Sequence, residues 1–297
     1  MVNFDQNKAL LVAGGHSDPN LTELVNTARE TGVLINDLRH GVQDSFPLSW
    51  QLNDSLLSVH NQTISPHGAF IRYDVFAGFQ DPRPAVSKRA RGWYDTIQGW
   101  LLSESEIRLF NRHQTPLAGN KGATLALAQK CGLKIPQTII TNQQEQLIEC
   151  GEGKAIAKPV AGGDFCYGLD ELLKKIEFRD GCAATPAIVQ TRLVAPEIRI
   201  YVIGDHSFAF EMRSPSLDYR VKQDAVVLPL SQVPSEVEPL RVLMSKLKMD
   251  FGAADFKSDP QTGKLVFLEL NTSPMFARFN QVSNGALCRG MLETLLV

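Results

Sequence analysis

The sequence predicts a mixed architecture, α/β near its start and α+β beyond it, in two or three domains. Three observations carry this expectation. The N-terminal stretch places an apolar run, a helical spacing and a second apolar run in succession with short joints, the pattern of a βαβ unit with parallel strands. The C-terminal half holds apolar runs paired across turn residues, which read as antiparallel hairpins. The length, 297 residues, exceeds what a single hydrophobic core usually organises.

Residues 8–14 (KALLVAG) read as a buried strand stopped by Gly14 and Gly15. Over 21–32, Leu21, Leu24, Val25 and Ala28 follow helical spacing and end at Gly32, before a second apolar run at 32–37 (GVLIND). Gly14, Gly15 and His16 lack the GxGxxG spacing of a dinucleotide-binding loop. Residues 67–76 (HGAFIRYDVF) read as a strand with Arg72 and Asp74 at its exit. Arg83, Lys88, Arg89 and Arg91 form a basic cluster, which fits a solvated face or the seat of an acidic partner or substrate. Residues 93–102 fit a helix.

From Asn111 the character changes. Residues 120–132 (NKGATLALAQKCG) predict a helix capped by Asn120 and stopped by Gly132, with Leu125, Ala128 and Cys131 on its apolar face. A proline-led strand (KIPQTIITN), a helix starting within 143–146 and a strand at 154–160 (KAIAKPV) follow. The next residues, AGGDFCYG, are glycine-rich. Gly162 and Gly163 let backbone N–H groups approach phosphate oxygens and Lys158 would add charge, although most such loops are only turns. After a strand at 187–190, residues 198–203 and 207–212 form a hairpin about Gly204 and Asp205. Its alternation puts Ile198, Ile200 and Val202 on one face and Arg199, Tyr201 and Ile203 on the other, so a buried Arg199 would need an anionic partner. Amphipathic helices are expected at 235–248 and 284–296.

The hairpin at 251–257 and 265–271 is the most informative stretch. Strict alternation would point Val266, Leu268 and Leu270 one way and Glu269 and Asn271 the other, with Asp255 able to share the polar face. Two carboxylates and an amide oxygen suit a hard cation such as Mg²⁺. The same spacing also fits two solvated acids on an edge strand.

Composition narrows the partners. A net charge of −2 and a pI near 6.3 supply no field for nucleic acid or an acidic membrane. No apolar run approaches bilayer-spanning length, and the N-terminus lacks the layout of a signal peptide. Five scattered cysteines without a CxxC pair read as reduced thiols in a cytoplasmic protein, with neither zinc nor disulfides indicated.

Taken in order, Lys121, Lys158, the glycine-rich loop, Val189 and Gln190, Glu197–Arg199 and then Asp255, Glu269 and Asn271 resemble an ATP-grasp carboxylate–amine ligase. The resemblance covers Asn111 to the C-terminus, with the βαβ region fitting a pre-grasp domain. NKG…GLKIPQT, AKPV, VQ…EIRIYVIGD, FGAADF and FLELNTSP are similar to ribosomal-protein glutamate ligases. SLDYR (216–220) and ITN (140–142) resemble elements of the graspetide, microviridin-type peptide ligases. TSPMFARF after Asn271, Tyr219 in place of a tryptophan, and Thr191 in place of an acidic residue depart from the graspetide pattern.

The resemblance implies a pre-grasp domain at 1–110, a central ATP-grasp subdomain at 111–187 and a C-terminal subdomain at 188–297. It implies that Lys121 and Lys158 contact ATP, that Gln190, Thr191, Arg192 and Leu193 offer backbone hydrogen bonds to adenine, and that Gly162 and Gly163 belong to a lid. Glu197 falls among the nucleotide-binding residues. Asp255, Glu269 and Asn271 would hold Mg²⁺, or Mn²⁺, while Arg199 and Arg220 stabilise the transferring phosphoryl group. The implied reaction activates a carboxylate as an acyl phosphate and joins it to an amine or hydroxyl of a peptide or amino acid. A kinase acting on a hydroxyl and a non-catalytic ATP-binding module are the alternatives, and the apolar face of the last helix would serve a homodimer as readily as the core. Residues 168–178 (GLDELLKKIEF) fit either a docking surface for a leader peptide or a lid helix.

Overall fold

A computed structural model describes residue 4 and residues 7–43, 45–151, 153–161, 166–214 and 225–296. The chain divides into two compact units. One takes the chain up to Arg112 together with Ile203–His206 and Ser273 onward; the other takes His113–Val202 and Ser207–Thr272. The three ranges expected from sequence therefore meet two units, with the C-terminal residues belonging to the N-terminal one.

The first unit is built on a parallel sheet. Strand β1 (Ala9–Gly15), helix α1 (Pro19–Glu30) and β2 (Leu34–His40) make the expected βαβ crossover. An antiparallel ribbon of β3 (Leu48–Gln51), β4 (Leu56–Val59) and β5 (Gln62–Thr63) precedes β6 (Gly68–Ile71). The sheet runs β2-β1-β6-β7, the last strand being Arg108–Leu109. Leu11, Ala13, Ala69 and Leu109 pack with Ile97, Trp100 and Leu101 of α3 (Pro84–Ser103) in one apolar cluster.

Two expectations change here. The strand expected over 67–76 stops at Ile71, because Asp74 caps a short helix, α2 (Val75–Gln80), accepting from the N–H groups of Phe76 and Ala77 at 3.0 Å. The helix expected at 93–102 begins at Pro84, a residue suited to a first helical turn, so Lys88, Arg89 and Arg91 lie on its early turns. The C-terminal segment is held in this unit by buried polar groups. Arg72 pairs with Asp18 at 2.9 Å and donates to the Pro274 carbonyl at 2.9 Å, while Asn20 Oδ1 accepts from Phe276 N and Ala277 N. The helix Ala286–Leu296 then packs on α1 with Leu287, Met291 and Leu295 buried.

The second unit holds two antiparallel sheets. Helix α4 (Lys121–Lys130) starts at Asn120, whose side chain accepts from Ala123 N at 2.9 Å, and Gly132 follows it at φ +91°. The first sheet runs β10-β9-β11-β8, from β8 (Thr138–Gln143), β9 (Ala155–Pro159), β10 (Tyr167–Gly168) and β11 (Cys182–Thr191). Ala155, Ala157 and Val189 on one face pack with Leu147 of α5 (Gln144–Glu149) and Leu169 of α6 (Leu169–Leu173). The second sheet runs β14-β13-β12-β15-β16, from β12 (Val194–Ile203), β13 (His206–Arg213), β14 (Val226–Pro229), β15 (Phe251–Ser258) and β16 (Leu265–Asn271). Its covered face joins Ile198, Ile200, Val202, Phe256 and Phe267 to Leu125 and Ala128 of α4 and to Leu240, Leu243 and Met244 of α7 (Val237–Lys246).

Strict alternation fails in β16. Asp255 pairs with Glu269 but Phe256 pairs with Phe267, so Leu268 is the extra residue of a bulge. The core side is therefore Leu265, Phe267 and Leu270, and not Val266, Leu268 and Leu270 as alternation alone expects. The bulge leaves Glu269 and Asn271 together beside Asp255 on the uncovered side.

Candidate active site

The site lies within the second unit. Asp255 is central, at 5% exposure. Both its oxygens accept from Arg199 of the neighbouring β12, at 2.6 Å from Nε and 2.8 Å from Nη2. Arg199, itself 9% exposed, thus has the anionic partner its burial demands. Asn271 Nδ2 donates to Asp255 Oδ2 at 3.1 Å, which turns the amide oxygen of Asn271 away from that contact. Glu269, directly opposite Asp255 in register, makes no hydrogen bond or ion pair with the described residues.

The donor set fits a small hard cation. Two carboxylates and an amide oxygen are the ligands Mg²⁺ takes when substrate and water complete its shell. A carboxylate offers about four lone-pair directions, so Asp255 keeps room for a metal beside its three hydrogen bonds. Among the described residues there is no group of three His, Cys, Asp or Glu side chains placed for a metal.

Lys158, on β9, lies within electrostatic reach of these acids. Burial holds its ammonium below the usual lysine range; Glu269 and, more weakly, Asp255 oppose that effect, whereas Lys121 reinforces it. Cys166 also contributes to the field at Lys158, a neighbour the sequence reading did not single out. Lys121 stands at the first position of α4. Neither lysine ammonium has a hydrogen-bonding partner among the described residues, and each is near enough for Lys121 to influence Lys158. That arrangement suits an incoming polyanion.

Gln190, Thr191, Arg192 and Leu193 form the exit of β11. Thr191 N donates to Gln137 O at 3.1 Å and Arg192 N to Lys154 O at 2.7 Å, so these two are already committed. Leu193 N has no hydrogen-bond partner among the described residues. Glu197 pairs with a different lysine, Lys257. Burial pushes its carboxyl above the usual range, against the pull of Lys257, whose ammonium lies 3.1 Å away. Sequence reading missed Lys257 because its partner lies on another strand. Gly162, Gly163 and Arg220, with half of the glycine-rich loop and all of SLDYR, lie outside the described residues.

No protein-family model matches the sequence, and no curated protein matches it. Solved structures match along nearly all of it. The ATP-grasp ligase PsnB, solved with a minimal precursor, Mg and ADP, is 22% identical with a TM-score of 0.71 over 99% of each chain. The macrocyclase MdnC from Microcystis aeruginosa MRC, bound with precursor peptide MdnA, is 17% identical with a TM-score of 0.73 over 97% of this chain and 99% of that one. The VanG D-Ala:D-Ser ligase from Enterococcus faecalis is 16% identical, at 0.62 over 97% and 98%. No helix of the described residues is long and apolar enough to cross a membrane. The chain has the fold of these ATP-grasp ligases.

Proposed function

We propose that the protein is an ADP-forming ligase that activates a carboxylate with Mg²⁺-ATP and joins it to an amine or hydroxyl on a peptide. The observation that carries this is that Lys158 and Glu269, uncommitted among the described residues, stand within electrostatic reach of each other beside the Asp255, Asn271 and Arg199 cluster, with Lys121 in turn acting on Lys158. The peptide assignment draws on the likeness to PsnB and MdnC, both solved with precursor peptides.

Lys121 and Lys158 would bind the phosphates, and Leu193 N–H would bind the base. Asp255, Glu269 and Asn271 would hold Mg²⁺, which supplies positive charge to the phosphates during transfer. The substrate carboxylate oxygen attacks the terminal phosphorus and ADP leaves. The amine or hydroxyl then attacks the acyl carbon, giving up its proton as phosphate departs. Arg199 already holds Asp255 in place, and its guanidinium can stabilise anionic oxygens in both steps. Preorganised groups of this kind act without reorganisation cost, so loss of one typically lowers turnover about a hundredfold.

The test is ADP release in Mg²⁺-ATP with carboxylate-bearing peptides, with products weighed by mass spectrometry. The reading requires a product lighter than its substrates by one water, absent in Glu269→Gln. A phosphorylated product of undiminished chain mass, with no condensation, would replace ligase by kinase.

A further inference from the structure

The basic stretch of the first unit takes no part in the site described above. Residues 75–92 carry Arg83, Lys88, Arg89 and Arg91 against one acid, Asp81, on a chain whose net charge is −2. Asp81 is taken by Arg83, whose Nε lies 2.8 Å from it. Lys88 and Arg89 form no ion pair with any described residue. Arg91 has only Asp95, at 3.7 Å between two largely exposed side chains, a contact too solvated to neutralise it. Arg89 donates from Nη1 to the Val42 carbonyl, while its Nη2 is buried with no acceptor. Buried donors of this kind are rare in folded chains and mark a place where an acceptor is expected.

An apolar knob lies beside these cations. Helix α2 seats Ala77 against Val86 and Ala90 of α3, and its Gly78 stands next to Ser87. Val75 and Phe79, four residues apart and so on one side of α2, are left outward at 40% and 83% exposure. Phe79 is the most exposed large apolar side chain among the described residues, and its ring meets Phe76 edge-on. On α3, Lys88 and Arg91 are three residues apart and likewise share a side. The Arg91 guanidinium is already placed, 5.1 Å over the ring of Tyr73.

We propose that the α2–α3 face docks an acidic segment of the peptide substrate, with Val75 and Phe79 taking an apolar side chain and Lys88, Arg89 and Arg91 its carboxylates. This rests on the reading of the substrate as a peptide, and it gives that peptide a grip separate from the residue that reacts. A small anion could use the cations but not the apolar knob, whereas a chain offering both groups engages the whole face. Three uncompensated cations fall short of the cluster of about four to eight that seats a protein on an anionic membrane. The negative net charge of the chain opposes nucleic acid.

The test is fluorescence anisotropy of a labelled glutamate-rich peptide carrying one leucine, titrated with the full chain without nucleotide, beside its glutamine counterpart. Wild type is expected to bind the glutamate peptide about tenfold or more tighter, an advantage that shrinks as salt is added. Lys88→Glu combined with Arg91→Glu should erase the advantage, because like charges then face each other. Phe79→Ser should weaken both peptides about fivefold, through lost apolar contact. Lys130→Glu combined with Lys246→Glu, at exposed positions of the other unit, changes the net charge equally and should leave binding within about twofold. Equal binding of the two peptides by wild type, an equal loss in the Lys130 and Lys246 variant, or capture by phosphatidylserine vesicles in place of the peptide overturns the inference. ADP binding with Mg²⁺, measured by calorimetry on the same proteins, reports an intact fold and keeps the two readings apart. ADP bound without the peptide ends the docking proposal alone, and the peptide bound without ADP ends the ATP-site reading alone.

Discussion

Replacing Arg199 by methionine should cost far more stability than removing a surface charge. Asp255 and Arg199 are both nearly closed to solvent and joined by two charge-assisted hydrogen bonds of 2.6 and 2.8 Å. Methionine fills much of the space but leaves a buried carboxylate with one remaining donor, Asn271. Stranding one partner of a buried pair costs about 3–5 kcal/mol, and the surviving Asn271 bond favours the lower end, about 3 kcal/mol. The assay is urea unfolding with a chelator present, so that no cation takes the place of the arginine. Arg199→Met combined with Asp255→Leu should recover most of the loss, because an apolar pair of similar volume leaves no unpaired charge and half-buried Asn271 can turn to water. Adding Mg²⁺ should partly restore the single variant through binding to the exposed acids. A loss below about 1 kcal/mol for Arg199→Met would mean the pair behaves as a solvated one and would refute the reasoning.

Lys158→Met should abolish nucleotide binding without lowering the melting temperature. Burial lowers the pKa of Lys158 below the lysine value of 10.5, so the folded state binds its proton less readily than the unfolded chain. That penalty is fully present below the folded pKa and is relieved as pH rises toward 10.5, so at neutral pH the variant gains stability by scanning calorimetry. Gly68→Ala should destabilise by about 1–3 kcal/mol in thermal melts, since its new Cβ would stand 2.3 Å from the Leu295 carbonyl oxygen, which cannot swing aside as a side chain would. The Cys288 thiol, fully buried and pushed up to about 12, should escape thiol reagents at mildly alkaline pH in native protein, while exposed Cys182 is labelled; mass spectrometry of labelled peptides reads both.

Much of this architecture is legible in the residues because it is local. Asn120 and Gly132 bracket α4 by capping chemistry, and the βαβ unit follows from apolar spacing. The candidate site is legible for a different reason: its residues sit on hairpin strands whose period brings Asp255, Glu269 and Asn271 to one side. What escaped is set by pairing across distance. The Leu268 bulge depends on how β15 meets β16, so alternation misassigned Val266 and Leu268. Sequence shows that a buried Arg199 needs an anion but not that Asp255, on a strand 56 residues away, supplies it. Likewise, the return of Ser273, Pro274 and Phe276 to the N-terminal unit depends on Arg72 and Asn20, far upstream.

The claim at the centre of this account is that a carboxylate is phosphorylated and then displaced. It is tested most directly by labelling the substrate carboxylate with heavy oxygen and following the label through one turnover. An acyl phosphate route must deliver one labelled oxygen to the inorganic phosphate released, in step with product formation. Phosphate free of label, with product still formed, would contradict the account.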